Sequence, residues 1–364
     1  MAKTKLIFRR IMAVVLIFAF SMMLPLTIHA GGTQTGNVTE ENQAFIRSLG
    51  TGYNLGNALD VCDWNTKFQN RYGVNTQTLW WGAVISQDFI NMLKNEGFGV
   101  IRVPVTYMNH IDESGNVDQA WLNRVKEVAT WIIENDMYCI VDIHHDTGNA
   151  GWIMASSGNF EGNRDRVANM VNQIADAFRD YDNRLILEGF NEIVNEARHW
   201  DNAPLDAYDT HNRWNQLFVD TVRATGGNNA SRYLLVNIYA ATPNNANLEN
   251  FKMPNDIIPN RIIVGVHNYT MAGDIKGSFD RMKLLTDKGY PVIIGEFGSK
   301  ASANYDRAQR AKEYVALCQD YGFCPIWWDN GENPGRRQKT SFALFDRKNC
   351  TAYFPDIVNA ITLK

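Results

Sequence analysis

The sequence predicts an α/β protein that folds as a single (β/α)8 TIM barrel. From residue 51 onward, short runs rich in β-branched and aromatic residues alternate with longer segments of helical periodicity, which is the pattern of repeated βα units. Several short runs, such as residues 262–266, are apolar without alternation, which indicates strands covered on both faces. Eight such units describe one barrel.

The strands and the ends of the helices can be placed along the chain. We expect the eight strands at residues 52–56, 99–105, 138–144, 185–191, 233–238, 261–268, 291–297 and 323–329. A helix with one apolar face is expected at residues 118–135. Four glycines stand where a helix should end just before the next strand: Gly97, Gly226, Gly289 and Gly322. A doubly wound open sheet is the competing architecture, but no GxGxxG motif follows the first strand.

The N-terminus has the layout of a secretory signal peptide. Four basic residues precede an apolar run at residues 11–26, and the small residue Ala30 follows. The alternative, a membrane anchor, is disfavoured because the run is shorter than the roughly 20 residues that a bilayer requires. We therefore expect a signal peptide at residues 1–30, a short polar lead-in at 31–45 and the barrel at 46–364, in a secreted extracellular protein that keeps no membrane contact after cleavage.

The charge balance excludes some classes of partner. The chain has 35 basic and 39 acidic side chains and a formal net charge of −4, without the basic excess that favours nucleic acid or an anionic membrane surface. An uncharged polymer is a better fit.

Five cysteines are an odd number for an exported chain, so at least one should stay unpaired. Cys318 and Cys324 are candidates for a bridge across a helix end, whereas Cys139 reads as a small buried hydrophobe. The sequence contains no CxxC motif, which argues against a structural zinc site or a redox site.

The chemistry should lie at the carboxyl-terminal ends of the strands, where barrel enzymes carry their active sites. Polar or aromatic residues that end or interrupt the apolar runs are therefore the candidates. They are Arg102, His144, His145, Asn191, Glu192, His267, Tyr269, Glu296 and Trp328.

Glu192 and Glu296 end the fourth and seventh strands and should face each other across the barrel mouth. A lone glutamate at a strand end is usually a solvated cap or an ion-pair partner, but two around one cleft are the machinery of glycosidic cleavage. One must be a protonated acid and the other an ionised carboxylate, so their environments must separate their pKa values.

The neighbours of each glutamate suggest which role it takes. Arg102 lies in an apolar strand and needs a carboxylate partner. Arg102 and Tyr269 would hold Glu296 ionised, which suits a nucleophile. Glu192 would lie near His267 and act as acid and then base.

A metal-dependent hydrolase is the second functional class to weigh. Together with His267, His144 and His145 form a candidate set of metal ligands, but adjacent strand residues point to opposite faces, so only one of the two should face the site. We expect no metal and no other cofactor.

Aromatic residues cluster in the loops expected above the barrel mouth, where their planes would stack on sugar rings. They are Trp80, Trp81, Trp152, Trp200, Tyr239 and Trp328. Ordinary packing is the alternative for each of them.

At this point the residues resemble glycoside hydrolase family 5, the bacterial cellulase family. The matching segments appear in the family's order, one per strand except at the fifth strand, from residue 51 to residue 331. They are Gly52-Tyr53-Asn54-Leu55-Gly56-Asn57, Ile101-Arg102-Val103-Pro104-Val105, Asp142-Ile143-His144-His145, Gly189-Phe190-Asn191-Glu192, Val266-His267-Asn268-Tyr269, Ile294-Gly295-Glu296-Phe297-Gly298 and Trp327-Trp328-Asp329-Asn330-Gly331.

The resemblance implies a retaining double displacement with Glu192 as acid/base and Glu296 as nucleophile. It also implies that Arg102, His144, Asn191, His267, Tyr269 and Trp328 line the subsite of the scissile sugar. We add His145, Asn57 and Trp81 as substrate-binding candidates, and Asn191 is expected to bond the sugar 2-hydroxyl.

The substrate implied by the resemblance is a β-glucan, cut by an endo-β-1,4-glucanase that acts as a monomer. Xyloglucanase, lichenase or β-mannanase activity and a non-catalytic carbohydrate-binding barrel are the alternatives. Two loops depart from the family pattern, residues 63–82 and the stretch from Ile193, which replaces a frequent proline. Such loops set specificity rather than mechanism.

Overall fold

The computed structural model describes residues 37–364 of the chain. The expected signal peptide lies outside the described residues. Within the described part, no helix combines the length and the apolar character needed to cross a membrane.

Eight parallel strands close into a barrel, because the first strand pairs with both the second and the eighth. The strands are β1 Gly52–Leu55, β2 Val100–Val103, β3 Tyr138–Ile143, β4 Leu185–Phe190, β5 Leu234–Asn237, β6 Ile262–His267, β7 Val292–Phe297 and β8 Cys324–Asp329. All eight lie within the predicted ranges, and the TIM-barrel prediction is confirmed.

Helices cover the outside of the barrel and one end of it. They are α1 Glu40–Leu49, α2 Gln87–Asn95, α3 Gln119–Glu134, α4 Ser157–Ala177, α5 Leu205–Ala224, α6 Asn245–Asn250, α7 Ile275–Asp287, α8 Arg307–Tyr321 and α9 Pro355–Thr362. Short 3-10 turns lie at Gly73–Thr78, Gly227–Ala230 and Tyr239–Ala241, and a two-stranded hairpin, β9 Phe345–Asp346 and β10 Thr351–Ala352, follows the barrel. Gly322 ends α8 in the left-handed region with φ 72°, where glycine has no steric penalty.

The barrel interior is layered. An apolar layer fills the bottom, and Ile46 and Leu49 of α1 pack into it. Strand members of this layer are Val100, Ile140, Ile186, Leu235, Ile263, Ile293 and Ile326. Side chains alternate along a strand, so the next inward residues form a second layer, which is polar. This second layer includes Asn54, Arg102, Asp142, Glu188 and Asn237, all buried.

Two β-bulges adjust the upper ends of β4 and β7. Between β6 and β7, Val266 pairs with Ile294 but His267 pairs with Glu296, so β7 carries one extra residue. Without it, Glu296 would share the outward face of Ile294. A similar shift between β3 and β4 leaves one extra residue on β4 before Phe190. Bulges re-aim side chains in this way beside active sites.

A helix begins before residue 46, where the sequence led us to expect the barrel to start. Helix α1 already begins at Glu40, with the Thr39 side chain accepting from the Asn42 backbone N–H as an N-cap. The polar composition of residues 31–45 concealed this helix, because only its last turns carry the apolar residues that enter the barrel.

The bridge considered between Cys318 and Cys324 does not form, and all five cysteines are free thiols. The reason is the sheet between them. Cys324 belongs to the cluster inside the barrel, whereas Cys318 packs in the layer between strands and helices.

Because α1 packs into the bottom of the barrel, its buried side chains should stabilise the fold measurably. Leu49 is fully buried, so Leu49→Ala should lower the free energy of unfolding by about 2–5 kcal/mol. Arg47→Ala, on the exposed face of the same helix, is the control and should change it by less than about 0.5 kcal/mol. Equal losses in both variants, measured by urea unfolding, would contradict a plugging role.

Candidate active site

Arg102 lies at the centre of the polar layer and is fully buried. Its Nε donates to Glu188 Oε2 at 2.7 Å, and its Nη1 donates to Glu296 Oε1 at 2.9 Å and to Asn54 Oδ1 at 3.1 Å. Its Nη2 contacts Asp142 Oδ2 and donates to Glu188 Oε1 at 2.8 Å. Every N–H group of the guanidinium therefore has an acceptor, as a buried cation requires.

The sequence prediction that Arg102 must have a carboxylate partner is confirmed, and the structure supplies three. Glu188 and Asp142 were absent from the predicted site, although each is a charge inside an apolar strand, the same signal that identified Arg102. Burial alone lowers the pKa of Arg102, but the charges of its carboxylate neighbours outweigh it and hold that pKa well above the usual value.

Glu296 is held by donors to both carboxylate oxygens. Besides the Arg102 contact, Tyr269 Oη donates to Oε2 at 2.7 Å, and His267 Nδ1 lies 3.5 Å from the same oxygen. Burial raises the pKa of Glu296 to about 6, opposed by His267, Arg102 and the Tyr269 hydrogen bond. These three groups favour the ionised form that a nucleophile needs.

Glu192 lies just beyond β4, with its side chain 24% exposed at the cleft. The Glu192 carboxylate pairs with His267, whose Nδ1 lies 2.7 Å from Oε1. Burial raises the pKa of Glu192 to about 7, and the charge of Asp142 adds to the increase while Arg102 opposes it. The higher pKa suits a general acid.

The two glutamates share one site. A carboxylate oxygen of Glu192, a carboxylate oxygen of Glu296 and a ring nitrogen of His267 all lie within 4.8 Å of one another. A sugar between these carboxylates would meet a proton donor and a nucleophile at once.

The remaining predicted residues lie around this pair. Asn191 Oδ1 accepts from Arg102 Nη2 at 2.8 Å, which leaves its amide N–H groups for a ligand. His144 bonds Asp142 Oδ2 through Nδ1 at 2.8 Å. The Trp328 ring stacks on the His144 ring with centroids 5.5 Å apart, so the two form part of one wall.

Both neighbouring histidines lie at the mouth, contrary to the expectation that only one would face it. Their ring centroids are 4.6 Å apart. Strand β3 ends at Ile143, so the alternation of a strand no longer applies beyond it. His145 Nε2 lies 3.6 Å from a carboxylate oxygen of the buried Asp60.

Two groups in the described residues have the composition of a metal site. One is Asp60, His144 and His145, and the other is the pair of glutamates with His267. An ion in the second group would occupy both catalytic candidates, so it would compete with a sugar. The expectation of no metal stays a prediction.

Aromatic rings continue from His145 along the loop after β1. Trp80 lies 5.7 Å from His145, and Trp81 stacks on Trp80 at 5.9 Å. Trp81 is 42% exposed, and the Arg337 guanidinium lies over its ring. Asn57 is buried at the base of this loop with φ 53°.

Two aromatic candidates belong to the packing instead. Trp152 is buried and donates to Asp146 Oδ1 at 2.7 Å. Tyr239 is buried and donates to the His199 carbonyl at 2.8 Å. Trp200, in contrast, lines an open cavity of about 800 Å³ beside Glu192.

A closed parallel barrel with two glutamates converging at its carboxyl-terminal mouth defines the class, a carboxylate-based glycoside hydrolase. The family model for cellulase (glycosyl hydrolase family 5) matches residues 62–334. The chain belongs to this family, as its motifs indicated.

Curated relatives cover most of the chain. Endoglucanase A of Clostridium longisporum is 32% identical over 341 residues, which are 87% of this chain and 64% of that protein. Endoglucanase 1 of Ruminococcus albus is 32% identical over 353 residues, 91% of this chain and 82% of that protein. The chain thus spans less than two thirds of the length of the first relative.

Solved structures match the whole barrel. A GH5-4 broad specificity endoglucanase from Ruminococcus champanellensis with bound cellotriose has a TM-score of 0.80 at 31% identity, covering 91% of this chain and 100% of that one. A mutant of PbGH5A from Prevotella bryantii B14, in complex with a xyloglucan tetradecasaccharide, has a TM-score of 0.79 at 31% identity, covering 90% and 99%.

The two carboxyl pKa values predict a bell-shaped pH dependence of kcat/KM. The rate should rise as Glu296 ionises near pH 6 and fall as Glu192 loses its proton near pH 7. Tyr269→Phe removes a hydrogen bond to the ionised form of Glu296, so the acid limb should move to higher pH. Tyr321→Phe, which removes a hydroxyl contact with Asp280 on an outer helix, should move neither limb. An unmoved acid limb in Tyr269→Phe would be the contrary result.

The carboxylates around Arg102 predict a pH-dependent stability defect. Arg102→Met leaves three buried carboxylates without their cation and should destabilise the fold by about 3–5 kcal/mol. The loss should grow from pH 5 to pH 8, because removing the cation raises the pKa of Asp142 and Glu296 further in the folded state, and a carboxyl group with a raised pKa loses stability as it ionises.

Arg232→Met is the matched control for that measurement. Arg232 is also buried, but its guanidinium donates to carbonyl oxygens and to Asn229 rather than to carboxylates. Its loss should destabilise the fold without the same growth with pH. Parallel pH profiles of the two variants would refute the carboxylate explanation.

Proposed function

We propose that this protein is a secreted, retaining endo-β-1,4-glucanase that hydrolyses cellulose-type or mixed-linkage glucans without a metal or organic cofactor. The observation that carries the proposal is the short distance between Glu192 and Glu296, which have carboxylate oxygens within 4.8 Å of each other. Retaining glycosidases hold their carboxyl groups about 5–5.5 Å apart, whereas inverting enzymes need about 6.5–9.5 Å for a water.

The first step forms a covalent glycosyl-enzyme. A carboxylate oxygen of Glu296 attacks the anomeric carbon while the bond to the glycosidic oxygen breaks. Glu192 transfers its proton to that oxygen, and the leaving chain departs with a new hydroxyl. Arg102 and Tyr269 keep Glu296 ionised until the attack.

The second step returns the enzyme to its starting state. Glu192, now a carboxylate, takes a proton from water, and the water oxygen attacks the anomeric carbon. The bond to Glu296 breaks, and the released sugar keeps its β configuration. Loss of the Glu296 negative charge during the first step lowers the pKa of Glu192, so Glu192 stays ionised and can act as the base in the second step.

Action on internal bonds is supported by the surroundings of the pair on both sides. The cavity beside Glu192 is lined by Trp200 and Asn244 and suits the leaving part of a polymer. On the other side, the rings from Trp328 to Trp81 suit the part that stays attached to Glu296. A polymer can therefore extend in both directions.

Xyloglucan is the second candidate substrate, since one matched structure carries a xyloglucan tetradecasaccharide. Its side-chain sugars would need the same open cleft. Rates on carboxymethyl cellulose, barley mixed-linkage glucan, xyloglucan and mannan rank these candidates. The absence of wild-type activity on all four polymers would favour a carbohydrate-binding barrel.

The roles of the glutamates predict different responses to a better leaving group. Glu192→Gln should lower kcat on polymers by about 10²–10⁴-fold, and Glu296→Gln by at least as much. An aryl β-cellobioside with an acidic phenol needs little protonation, so its first step should recover in Glu192→Gln but not in Glu296→Gln. Equal recovery in both variants would overturn the assignment.

The stereochemistry and the cofactor are checked with the same wild-type protein. Proton NMR of the first product should show the β anomer, and an initial α anomer would exclude retention. Dialysis against a metal chelator should leave the rate unchanged, whereas a lost and metal-restored rate would revive the histidine sites as metal centres.

Secretion and oligomeric state belong to the same proposal. N-terminal sequencing of the exported protein should begin just after Ala30, and light scattering should give the mass of one chain. An intact N-terminus in the exported protein, or twice that mass, would contradict these two parts.

A further inference from the structure

A cationic cavity of about 670 Å³ opens next to Trp81, between the loop after β1 and the loops that follow β8. Four of its lining side chains are basic, namely Arg336, Arg337, Arg347 and Lys348, and its acidic lining residue is Asp346. The whole chain carries a net charge of −4. The net charge of the cavity lining is therefore opposite in sign to the net charge of the whole chain.

Counter-charges account for only part of this positive charge. Arg347 is buried and pairs with Asp329 at 2.9 Å, and Arg337 lies 3.8 Å from Glu332. The Asp346 carboxylate accepts hydrogen bonds from the backbone N–H groups of Lys348 and Asn349, so it stabilises the turn in which it lies.

Two of the cations form no salt bridge, although the charge of Lys348 acts on the nearby Asp346 carboxylate. Among residues 37–364, neither Arg336 nor Lys348 takes part in an ion pair, and both are exposed. Arg337 places its guanidinium 4.6 Å from the centre of the Trp81 ring. Charge and an aromatic platform thus lie together.

The cavity lies at the end of an aromatic row that begins at Trp328 and His144, and His144 bonds Asp142 beside Arg102. Trp328, His144, His145, Trp80 and Trp81 follow one another with ring centroids 4.6–5.9 Å apart. A sugar ring on Trp81 would direct its substituents at the basic side chains.

We propose that this cavity binds a carboxylate carried by a substituent of the substrate, as on a β-linked polysaccharide with uronic acid side groups. The inference rests on the proposed function, since it places the bound chain along the row from Glu296 to Trp81. Guanidinium and ammonium groups form charge-assisted hydrogen bonds with carboxylates. A neutral polymer gains nothing from them, so the cavity selects acidic decoration on the part of the chain that stays attached to Glu296.

The test compares an anionic and a neutral cellulose ether. The kcat/KM values on carboxymethyl cellulose and on hydroxyethyl cellulose of similar substitution are measured for wild type and for Arg336→Gln/Lys348→Gln. Exposed charge pairs are individually weak, so the ratio of the two values should fall by about three- to tenfold in the variant. The wild-type preference should also shrink between about 0.02 M and about 0.5 M salt.

The double variant Arg47→Gln/Lys312→Gln is the matched control, because it removes one arginine and one lysine from exposed positions on α1 and α8. Its ratio should equal that of wild type. An unchanged ratio in Arg336→Gln/Lys348→Gln, or the same fall in the control, would overturn the proposal.

Binding without turnover separates this proposal from the function it builds on. Carboxymethyl cellulose is titrated calorimetrically into Glu296→Gln, with and without the Arg336→Gln/Lys348→Gln changes. The difference between the two affinities gives the contribution of the cavity to binding. Weaker binding only with those changes supports the carboxylate site even if wild type cleaves neither polymer, which would refute the proposed function instead. Equal binding in the two backgrounds refutes the site.

Discussion

The buried guanidinium of Arg102 is the interaction on which the rest of the site depends. It lies in the polar layer of the barrel, where an unpaired charge would be expensive, and contacts carboxylates from β3, β4 and β7. One cation against three carboxylates leaves an excess of negative charge around it. Burial raises the pKa of both glutamates, but Glu296 also touches the cation, whereas Glu192 lies near Asp142 and is harder to ionise.

The fold supplies this arrangement through the layers of the barrel. Apolar side chains fill the bottom, so the polar layer can form above them without weakening the base of the sheet. The extra residues on β4 and β7 then turn Asn191 and Glu296 inward. Gly295 suits the second bulge because a Cβ there would lie only 3.3 Å from His267 Nε2.

Much of this could be predicted from the sequence because burial leaves a clear pattern. Short runs rich in β-branched and aromatic residues marked the eight strands, and a charge in an apolar run marked Arg102 as a residue that needs a partner. The contacts of Glu296 with Arg102 and Tyr269, and of Glu192 with His267, followed from their places at strand ends.

Other features could be identified only from the three-dimensional structure. Glu188 and Asp142 carry the same signal as Arg102, but which strand residues face inward depends on register, and the bulges shift that register. The positions of His144 and His145 depend on where β3 ends rather than on its composition. The roles of Trp152 and Tyr239 were hidden because aromatic residues in loops serve packing and sugar binding equally well.

Trapping the covalent intermediate tests most directly the claim that this ring of charges makes Glu296 the nucleophile. A 2-deoxy-2-fluoro-cellobioside with a good leaving group slows breakdown of the glycosyl-enzyme, so digestion and mass spectrometry can locate the label. The account predicts a stoichiometric label on the peptide that contains Glu296. A label on Glu192, or turnover of this reagent without any labelled peptide, would contradict it.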